Sequence, residues 1–229
     1  MRAMILAAGR GERLRPITDN IPKPLVKVGG KELLLWHLEK LKEAGIFEVI
    51  INSAWLSEKI LTFLGDAKSL GMSITHSQEP PGGLETLGGI VKALPFFQDE
   101  PFLVVNGDTF IDIPYGFFLR SIPLPGEALL FLTDNPKHHL QGDFSLDENK
   151  RVVTGHDFTF TGAAVYTPQI FSNIKPQRAP LRPLFDKLIE KKVLYGKKLE
   201  GKWFDVGTVE RLHDTDAYIR AKTFNRSES

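Results

Sequence analysis

The stretch LAAGRGERLRPITDNIPKP, residues 6 to 24, combines glycines and cations in a pattern that suits phosphate binding. Gly9 and Gly11 follow a short apolar run, and glycine lets the backbone turn tightly and bring its N–H groups close to phosphate oxygens. Arg13 adds a guanidinium for bidentate phosphate contact, and Lys23 adds a compact ammonium charge. The pattern is neither GxxxxGK[ST] nor GxGxxG, so a structural turn with solvated surface charges is the alternative.

Two aspartates stand where a metal ion could assist such a phosphate site. Asp108 directly follows an apolar run in VVNGD, and Asp205 lies in KWFDVGT between Phe204 and Val206. A carboxylate among apolar neighbours is costly unless it meets a cation or hydrogen-bond donors. Mg²⁺ takes one or two carboxylates, and waters and phosphate oxygens complete its octahedral shell. The alternatives are a turn residue for Asp108 and the N-cap of a helix starting near Thr208 for Asp205.

The glycine-rich segment PPGGLETLGG, residues 80 to 89, precedes a short predicted helix. Its glycines allow the backbone to approach a ligand closely, although a connection without a ligand has the same composition. Further along the chain, Asn106 can both donate and accept hydrogen bonds, as the recognition of hydroxyl groups requires. Asp143 could accept from hydroxyl groups, and Gly162 could present its backbone to the same ligand.

The first half of the chain alternates strand-like and helix-like segments. Apolar runs predict strands at 3–8, 47–51, 73–75 and 102–105, and helical periodicity predicts helices at 32–44, 55–64 and 86–94. This alternation predicts a parallel sheet with helices on both faces, and such sheets bind ligands beyond the carboxyl ends of their strands. The glycine-rich loop and Asn106-Gly107-Asp108 both follow predicted strands, so both belong at that edge.

The second half is more mixed and predicts antiparallel pairing. We expect strands at 128–133, 158–166 and 193–197, a hairpin formed by 143–146 and 151–154, and helices at 181–190 and 209–222. Together the two halves predict one α/β domain over residues 1–229 with a small β insertion.

Composition excludes several classes of protein. The 229 residues include no cysteine, which excludes a disulfide scaffold, a zinc–thiolate site and a cysteine nucleophile. The formal net charge of +1 lacks the basic excess of a nucleic-acid-binding surface. The apolar run near the N-terminus is too short, and too closely followed by charges, for a signal peptide or a membrane span. We expect a cytoplasmic protein that binds neither nucleic acid nor membrane, and the sequence leaves the oligomeric state open.

Three motifs in order make the chain recognisable: LAAGRGERLRP…PKPLVKVGGKELL, FLVVNGDT at 102–109 and WFDVGT at 203–208. Together they resemble the signature of the sugar-1-phosphate nucleotidyltransferases, and the resemblance covers most of the chain. It implies a Rossmann-like nucleotidyltransferase fold with a mostly parallel, mixed sheet flanked by helices. It also implies a Mg²⁺-dependent reaction in which a sugar 1-phosphate displaces pyrophosphate from a nucleoside triphosphate.

The resemblance assigns roles to individual residues. Arg13 would hold the leaving pyrophosphate, and Lys23 would bridge the α-phosphate and the sugar phosphate. Asp108 and Asp205 match the two metal ligands of the family. The residues that match its nucleotide-binding positions are Ala7, Ala8, Gly9, Gly11, Glu12, Arg13, Lys23, Gly83, Thr86 and Gly88. Those that match its sugar-binding positions are Asn106, Asp143 and Gly162. The resemblance also implies a nucleotide-binding part from residue 1 to about 110 and a sugar-binding part from about 111 to 229.

Four further segments resemble one branch of the family: INSAWL at 51–56, LETLGGIVKALP, DNPKHHLQGDF at 134–144 and GKWFDVGTVERL at 201–212. That branch uses UTP and N-acetylmuramic acid 1-phosphate in peptidoglycan recycling, so these are the expected substrates. Within the family, the alternatives are mannose or glucose 1-phosphate with GTP, dTTP or UTP. Outside this activity, the alternatives are a non-catalytic nucleotide-sugar sensor and a dinucleotide-dependent oxidoreductase.

The chain departs from the family pattern in one respect. Many relatives carry a Glu-Lys-Pro tripeptide whose lysine contacts the sugar phosphate, and this chain has none. Lys202 could replace that lysine, or Lys23 could act alone. A muramyl substrate also carries a lactyl carboxylate, and its candidate partners are His138, His139, Arg178 and Arg182.

Overall fold

The computed structural model describes residues 1–66 and 70–227. The strands in these ranges are β1 (Arg2–Leu6), β2 (Lys27–Val28), β3 (Lys31–Glu32), β4 (Glu48–Ser53), β5 (Ser73–Gln78), β6 (Phe102–Asn106), β7 (Thr109–Asp112), β8 (Ala128–Asp134), β9 (Phe144–Leu146), β10 (Val152–Tyr166), β11 (Leu194–Lys198) and β12 (Lys202–Asp205). The α-helices are α1 (Ile17–Asn20), α2 (Leu33–Glu43), α3 (Ser57–Asp66), α4 (Glu85–Ala93), α5 (Arg182–Glu190) and α6 (Val209–Ser227). None of these helices is both long and apolar enough to cross a membrane.

One large sheet organises the molecule. Its strand order is β11-β8-β10-β6-β1-β4-β5, and β9 pairs with β10. The strands β5, β4, β1 and β6 run parallel, whereas β10 is antiparallel to both β6 and β8. Two small sheets, β7 with β12 and β2 with β3, lie outside it. The predicted α/β class, with a mostly parallel mixed sheet between helices, is confirmed; the division into a nucleotide part and a sugar part stays a prediction.

The burial of β1 shows why helices cover both faces of this sheet. Ala3, Met4 and Ile5 are all fully buried, as expected of a strand in a parallel sheet that is covered on both sides. Ala3 and Ile5 pack in one hydrophobic cluster with Leu38 of α2, whereas Met4 packs in another with Ile90 of α4. The alternation of side chains along the strand therefore supplies two cores, one on each face.

The predicted strands at 151–154 and 158–166 are in fact a single strand, β10, which spans Val152–Tyr166. The sequence suggested a break because Gly155, His156 and Asp157 interrupt the apolar pattern. These residues lie where the pairing with β9 shifts register, between Val153 and Phe158, so the strand absorbs them as an irregularity. The predicted hairpin with β9 forms, but its second strand continues into the centre of the main sheet.

Candidate active site

The loops after β1 and β6 lie side by side because their strands are neighbours. In the parallel pairing, Leu6 is opposite Asn106, and Gly107 N donates a hydrogen bond to Leu6 O at 2.8 Å. A Cβ on Gly107 would lie 2.8 Å from the same carbonyl oxygen, so only glycine fits at this contact. The glycine-rich loop and Asn106-Gly107-Asp108 therefore meet at the predicted edge of the sheet.

The small β7–β12 sheet brings Asp205 to the same place. Asp205 is opposite Thr109 in this ladder, and Val206 N donates to Asp108 O at 3.1 Å. Asp205 does not cap the following helix. The hydroxyl of Thr208 performs that function, since it accepts from the backbone N of Arg211 at 3.3 Å. The carboxylate of Asp205 is thus free to face the cavity beside Asp108.

Two cavities meet at Asn106 and Asp108, which line both. The first, which we call the donor cavity, measures about 360 Å³ and is lined by Leu6, Ala7, Ala8, Gly9, Arg10, Lys23, Pro24, Asn52, Gly82, Gly83, Glu85, Thr86, Asn106, Asp108 and Arg178. The second, which we call the acceptor cavity, measures about 340 Å³ and is lined by Arg13, Asn106, Asp108, Thr109, His138, His139, Thr159, Phe160, Thr161, Trp203, Asp205 and Arg211. Ligands in the two cavities would approach each other at Asp108.

Six of the ten predicted nucleotide-binding residues line the donor cavity, but Gly11, Glu12, Arg13 and Gly88 do not, and Arg13 lines the acceptor cavity instead. Gly11 begins the 3₁₀ turn Glu12–Leu14 in a left-handed conformation, and Glu12 is exposed. Gly88 lies in the first turns of α4, where a Cβ would come within 2.2 Å of the carbonyl oxygen of Gln177. The requirement for glycine at position 88 is therefore explained by packing, and the predicted binding roles of all four residues stay predictions.

A buried polar pair behind the donor cavity escaped the sequence analysis. Asn52 is 2% exposed and Glu79 is 4% exposed. Asn52 Oδ1 accepts from Ala7 N at 2.8 Å, and Asn52 Nδ2 donates to Glu79 Oε1 at 2.7 Å. Glu79 Oε2 accepts from Leu84 N at 2.7 Å. The pair thus ties the glycine-rich loop to the loop that precedes α4. The only available signal was that Asn52 directly follows the apolar run of β4, whereas Glu79 follows polar residues.

A cation–π contact was also missed. The guanidinium of Arg10 lies 3.4 Å from the ring centroid of Trp55, and Trp55 Nε1 donates to Thr18 O at 3.0 Å. Arg10 lines the donor cavity, whereas Arg15 is exposed and pairs with Asp19. The ring therefore holds one arginine of the glycine-rich stretch against the cavity, which its position in the sequence alone does not indicate.

Lys23 and Asp108 form an ion pair between the two cavities, with 2.5 Å between Nζ and Oδ2. Lys23 is only 7% exposed, and it stands in the 3₁₀ turn Lys23–Leu25 after Pro22. A buried ammonium group needs such a partner, because desolvation otherwise disfavours its charged form. The pair places one positive and one negative charge where two phosphate groups would meet.

Asp205 lies beside Arg211 and His138 in the acceptor cavity. Arg211 Nη2 lies 3.5 Å and His138 Nε2 lies 3.7 Å from its Oδ2 atom. Burial and the positive charge of Arg211 lower the pKa of His138, although Asp205 acts in the opposite direction. Within residues 1–66 and 70–227, no group of three or more His, Cys, Asp and Glu side chains is arranged to hold a metal ion. Two carboxylates in one cavity, each beside a cation, nevertheless fit Mg²⁺, because it needs few protein ligands.

The three predicted sugar-binding residues lie at the acceptor cavity or directly beside it. Asp143 accepts from Phe160 N at 2.8 Å and pairs with His139 Nε2 at 3.1 Å. Gly162 has a φ angle of 77°, and a Cβ there would lie 2.4 Å from Asn106 Cγ. The amide of Asn106 therefore rests on a surface that only glycine leaves open. This arrangement presents a carboxylate, an amide and a backbone turn, which can bind hydroxyl groups.

The four residues considered as partners of a lactyl carboxylate lie in different parts of the molecule. His138 and His139 line the acceptor cavity, whereas Arg178 lines the donor cavity and pairs with Glu85 at 3.0 Å. Arg182 pairs with Asp186 at 2.9 Å, at the exposed start of α5. Lys202, considered as a replacement for the family's second lysine, is exposed and lies opposite Asp112 at the far end of β12. It does not line the acceptor cavity.

Comparisons with known proteins agree with this geometry. A family model described as "Nucleotidyl transferase" matches residues 2–222. N-acetylmuramate alpha-1-phosphate uridylyltransferase of Neisseria meningitidis serogroup B is 47% identical over 96% of this chain and 99% of that protein. The beta catalytic subunit of mannose-1-phosphate guanylyltransferase from Drosophila melanogaster is 30% identical over 90% of this chain, which spans 59% of that protein.

The fold is also similar to that of a solved structure. The inositol-1-phosphate CTP transferase from T. maritima superposes with a TM-score of 0.82 at 16% identity, over 96% of this chain and 95% of that one. The Rossmann-like nucleotidyltransferase fold is thereby confirmed. Because the family model and a close relative both span nearly the whole chain, the chain belongs to the nucleotidyl transferase family.

Proposed function

We propose that this protein transfers UMP from UTP to N-acetylmuramic acid 1-phosphate and releases pyrophosphate. The observation that carries this substrate pair is the 47% identity with the N. meningitidis uridylyltransferase over 96% of this chain and 99% of that protein. Peptidoglycan recycling in the cytoplasm is the setting that these substrates imply. The presence of Lys23, Asp108 and Asp205 in one site speaks against a sensor that has lost its catalytic groups.

The two cavities suit this reaction because they meet at Asp108. A phosphate oxygen of the sugar 1-phosphate attacks the α-phosphorus of UTP, and the bond from that phosphorus to the oxygen bridging to the β-phosphate breaks. The electron pair leaves with pyrophosphate. The attacking phosphate is already an anion at neutral pH, so the chain needs no nucleophile or general base. Catalysis then rests on positioning and on stabilisation of charge.

The chain's own groups would divide this work between the cavities. The loop from Ala7 to Arg13 and the segment around Thr86 bind UTP, and Arg13 stabilises the pyrophosphate as it leaves. Lys23 contacts the two phosphates that react. Asp108 and Asp205 would hold Mg²⁺, which when bound would offset the repulsion between the two polyanions and help to align them. Asn106, Asp143 and Gly162 orient the sugar.

A pyrophosphate-release assay tests this proposal. The purified protein is incubated with Mg²⁺, N-acetylmuramic acid 1-phosphate and, in turn, UTP, dTTP, GTP, ATP and CTP. Release confined largely to UTP is the expected result. The second arm of the assay replaces the acceptor with mannose 1-phosphate or glucose 1-phosphate. Release only in that arm would overturn the muramyl assignment, and no release in either arm would favour the sensor.

A further inference from the structure

Arg211 occupies a position that the proposed reaction has not yet used. It stands in the first turn of α6, and its side chain reaches back over Gly207 towards Asp205. A Cβ on Gly207 would lie 2.1 Å from Arg211 Nη2 and 2.7 Å from Asp205 Oδ1. The absence of a side chain at position 207 therefore creates the space in which the guanidinium meets the acceptor cavity.

The hydrogen-bonding capacity of this guanidinium is unused. Nε and Nη2 of Arg211 are buried, and neither has a hydrogen-bond partner within residues 1–66 and 70–227. The contact with Asp205 is an ion pair at 3.5 Å. Buried donors without acceptors are unfavourable, and an arginine offers a planar set of donors that matches phosphate oxygens. The guanidinium of Arg211 is therefore placed to donate hydrogen bonds to acceptor atoms of a bound ligand.

Charge at the site favours an anionic ligand. The guanidinium groups of Arg13 and Arg211 both line the acceptor cavity, together with the imidazole rings of His138 and His139. A site that gathers cations around a small cavity attracts an anion. Asp108 and Asp205 offset this charge, but in the proposed reaction both carboxylates would hold Mg²⁺. The guanidinium is then left for another anion.

We propose that Arg211 binds the phosphate group of the acceptor sugar 1-phosphate. This inference rests on the proposed function, and it gives the acceptor phosphate a cation other than Lys23. The phosphate is favoured over a carboxylate elsewhere on the sugar because Arg211 lies next to Asp205, and Asp205 lies next to Asp108, where the two phosphates react. Arg211 is thus a binding residue for the reacting group.

The test combines kinetics with equilibrium binding. Arg211→Gln and Arg211→Lys are compared with the wild type by the KM for UTP, the KM for the sugar 1-phosphate, and calorimetric Kd values. The calorimetry uses N-acetylmuramic acid 1-phosphate and unphosphorylated N-acetylmuramic acid, each with and without Mg²⁺. For Arg211→Gln we expect the KM and Kd of the sugar 1-phosphate to rise about tenfold or more, as for a lost hydrogen bond to a charged group. Arg211→Lys should recover part of this loss, and the Kd of the unphosphorylated sugar should not change.

The matched control is Lys202→Gln, which removes an exposed cation outside the acceptor cavity and should leave these constants unchanged. Circular dichroism and the melting temperature establish that each variant folds. Equal weakening of the phosphorylated and unphosphorylated sugars would overturn the proposal in favour of contact with the sugar itself. A change in the Mg²⁺ requirement without a change in acceptor binding would show that Arg211 acts only by positioning Asp205.

The two proposals fail in different ways. If the wild type accepts another sugar 1-phosphate and not the muramyl one, the substrate assignment fails, and Arg211 is tested on the accepted sugar with its unphosphorylated counterpart. If the wild type binds no sugar 1-phosphate in the calorimeter, both proposals fail. Wild-type binding with an unchanged Kd in Arg211→Gln overturns the role of Arg211 alone.

Discussion

The ammonium group of Lys23 and the carboxylate of Asp108 lie in contact at the junction of the donor and acceptor cavities, with 2.5 Å between Nζ and Oδ2. The side chain of Lys23 is 9% exposed and that of Asp108 is 36% exposed, so the carboxylate faces the cavities while the ammonium lies behind it. The pair gives the buried ammonium group a partner before a ligand arrives. It also means that Asp108 must share its charge between Lys23 and any metal ion.

We expect Asp108→Asn to lower turnover by a factor of about 100 to 1,000, the range found when a group that stabilises charge in a transition state is removed. The amide oxygen of asparagine can still accept from Lys23 but no longer offsets its charge, so the free energy of unfolding should fall by about 1–3 kcal/mol. The measurements are pyrophosphate release over a Mg²⁺ titration and urea unfolding.

Asp134→Asn is the control for this change, because it alters a carboxylate that pairs with Lys198 at the exposed surface. It should affect neither activity nor its Mg²⁺ dependence. Turnover at the wild-type level in Asp108→Asn would remove Asp108 from the proposed metal site.

Glu79→Gln tests the polar link behind the donor cavity. Ala7 N fixes the orientation of the Asn52 amide, so Glu79 must accept from both Asn52 Nδ2 and Leu84 N. Glutamine offers one acceptor and one donor group, so one of these two donors must face another donor. We expect a loss of about 1–3 kcal/mol in the free energy of unfolding, as for a buried donor left unsatisfied. The KM for UTP should rise more than the KM for the sugar.

The comparison for Glu79→Gln is Glu48→Gln, which makes the same chemical change on β4 at a half-exposed carboxylate paired with Arg2. Its unfolding midpoint should stay at the wild-type value. If both variants lose equal stability, the link between the two loops is not the reason for the effect.

The sequence predicted those site residues that directly follow strong apolar strands. Asp108 is the clearest case, because FLVVN forms β6 and the ligand edge of a parallel sheet lies where such strands end. The predicted strands and helices of the first half formed with boundaries shifted by a few residues at most. Local patterning was sufficient there because each strand is buried on both faces and its composition reflects that burial.

Local sequence patterns could not predict contacts between residues that are far apart in the sequence. The motif WFDVGT pointed to Asp205, but its approach to Asp108 arises from the short β7–β12 ladder, which has no strong strand signal. Asn52 and Glu79 look like ordinary polar residues in the sequence, and only their mutual hydrogen bonding permits their burial. In the sequence, Arg211 looks like a surface charge of α6, and only the structure shows that its side chain lies over Gly207.

His37 predicts a specific pH dependence of stability. Burial is the main reason that its pKa is lowered to about 4, and Nδ1 lies 2.6 Å from the hydroxyl of Tyr115. In the unfolded chain this histidine binds a proton as the pH falls below its ordinary value of about 6.5, whereas in the folded protein it stays neutral until about pH 4. Stability is therefore lost as the pH falls through this window, with a contribution of about 2 kcal/mol between pH 7 and 5.

His37→Gln should remove that contribution, so the loss of unfolding free energy between pH 7 and 5 becomes smaller, although the variant is less stable at pH 7. Urea unfolding at the two pH values measures this difference. The remaining slope includes His76 and His138, whose pKa values burial also lowers. His213→Gln, at an exposed position of α6, should retain the full wild-type slope. An unchanged slope in His37→Gln would mean that His37 does not stay neutral in the folded protein.

Gly162→Ala tests whether Asn106 must rest on an open backbone turn. The φ angle of 77° alone costs an alanine about 1–2 kcal/mol. In addition, the new Cβ would lie 2.4 Å from Asn106 Cγ, so the amide has to leave its place between the cavities. Gly126→Ala is the matched control, because its φ angle of 87° imposes similar strain while a Cβ there would meet no atom within 4 Å. Both variants should lose stability through this strain, Gly162→Ala more than Gly126→Ala because of the added clash, and only Gly162→Ala should show a raised KM for the sugar 1-phosphate. Equal KM values in the two variants would separate Asn106 from sugar binding and leave Gly162 with a purely conformational role.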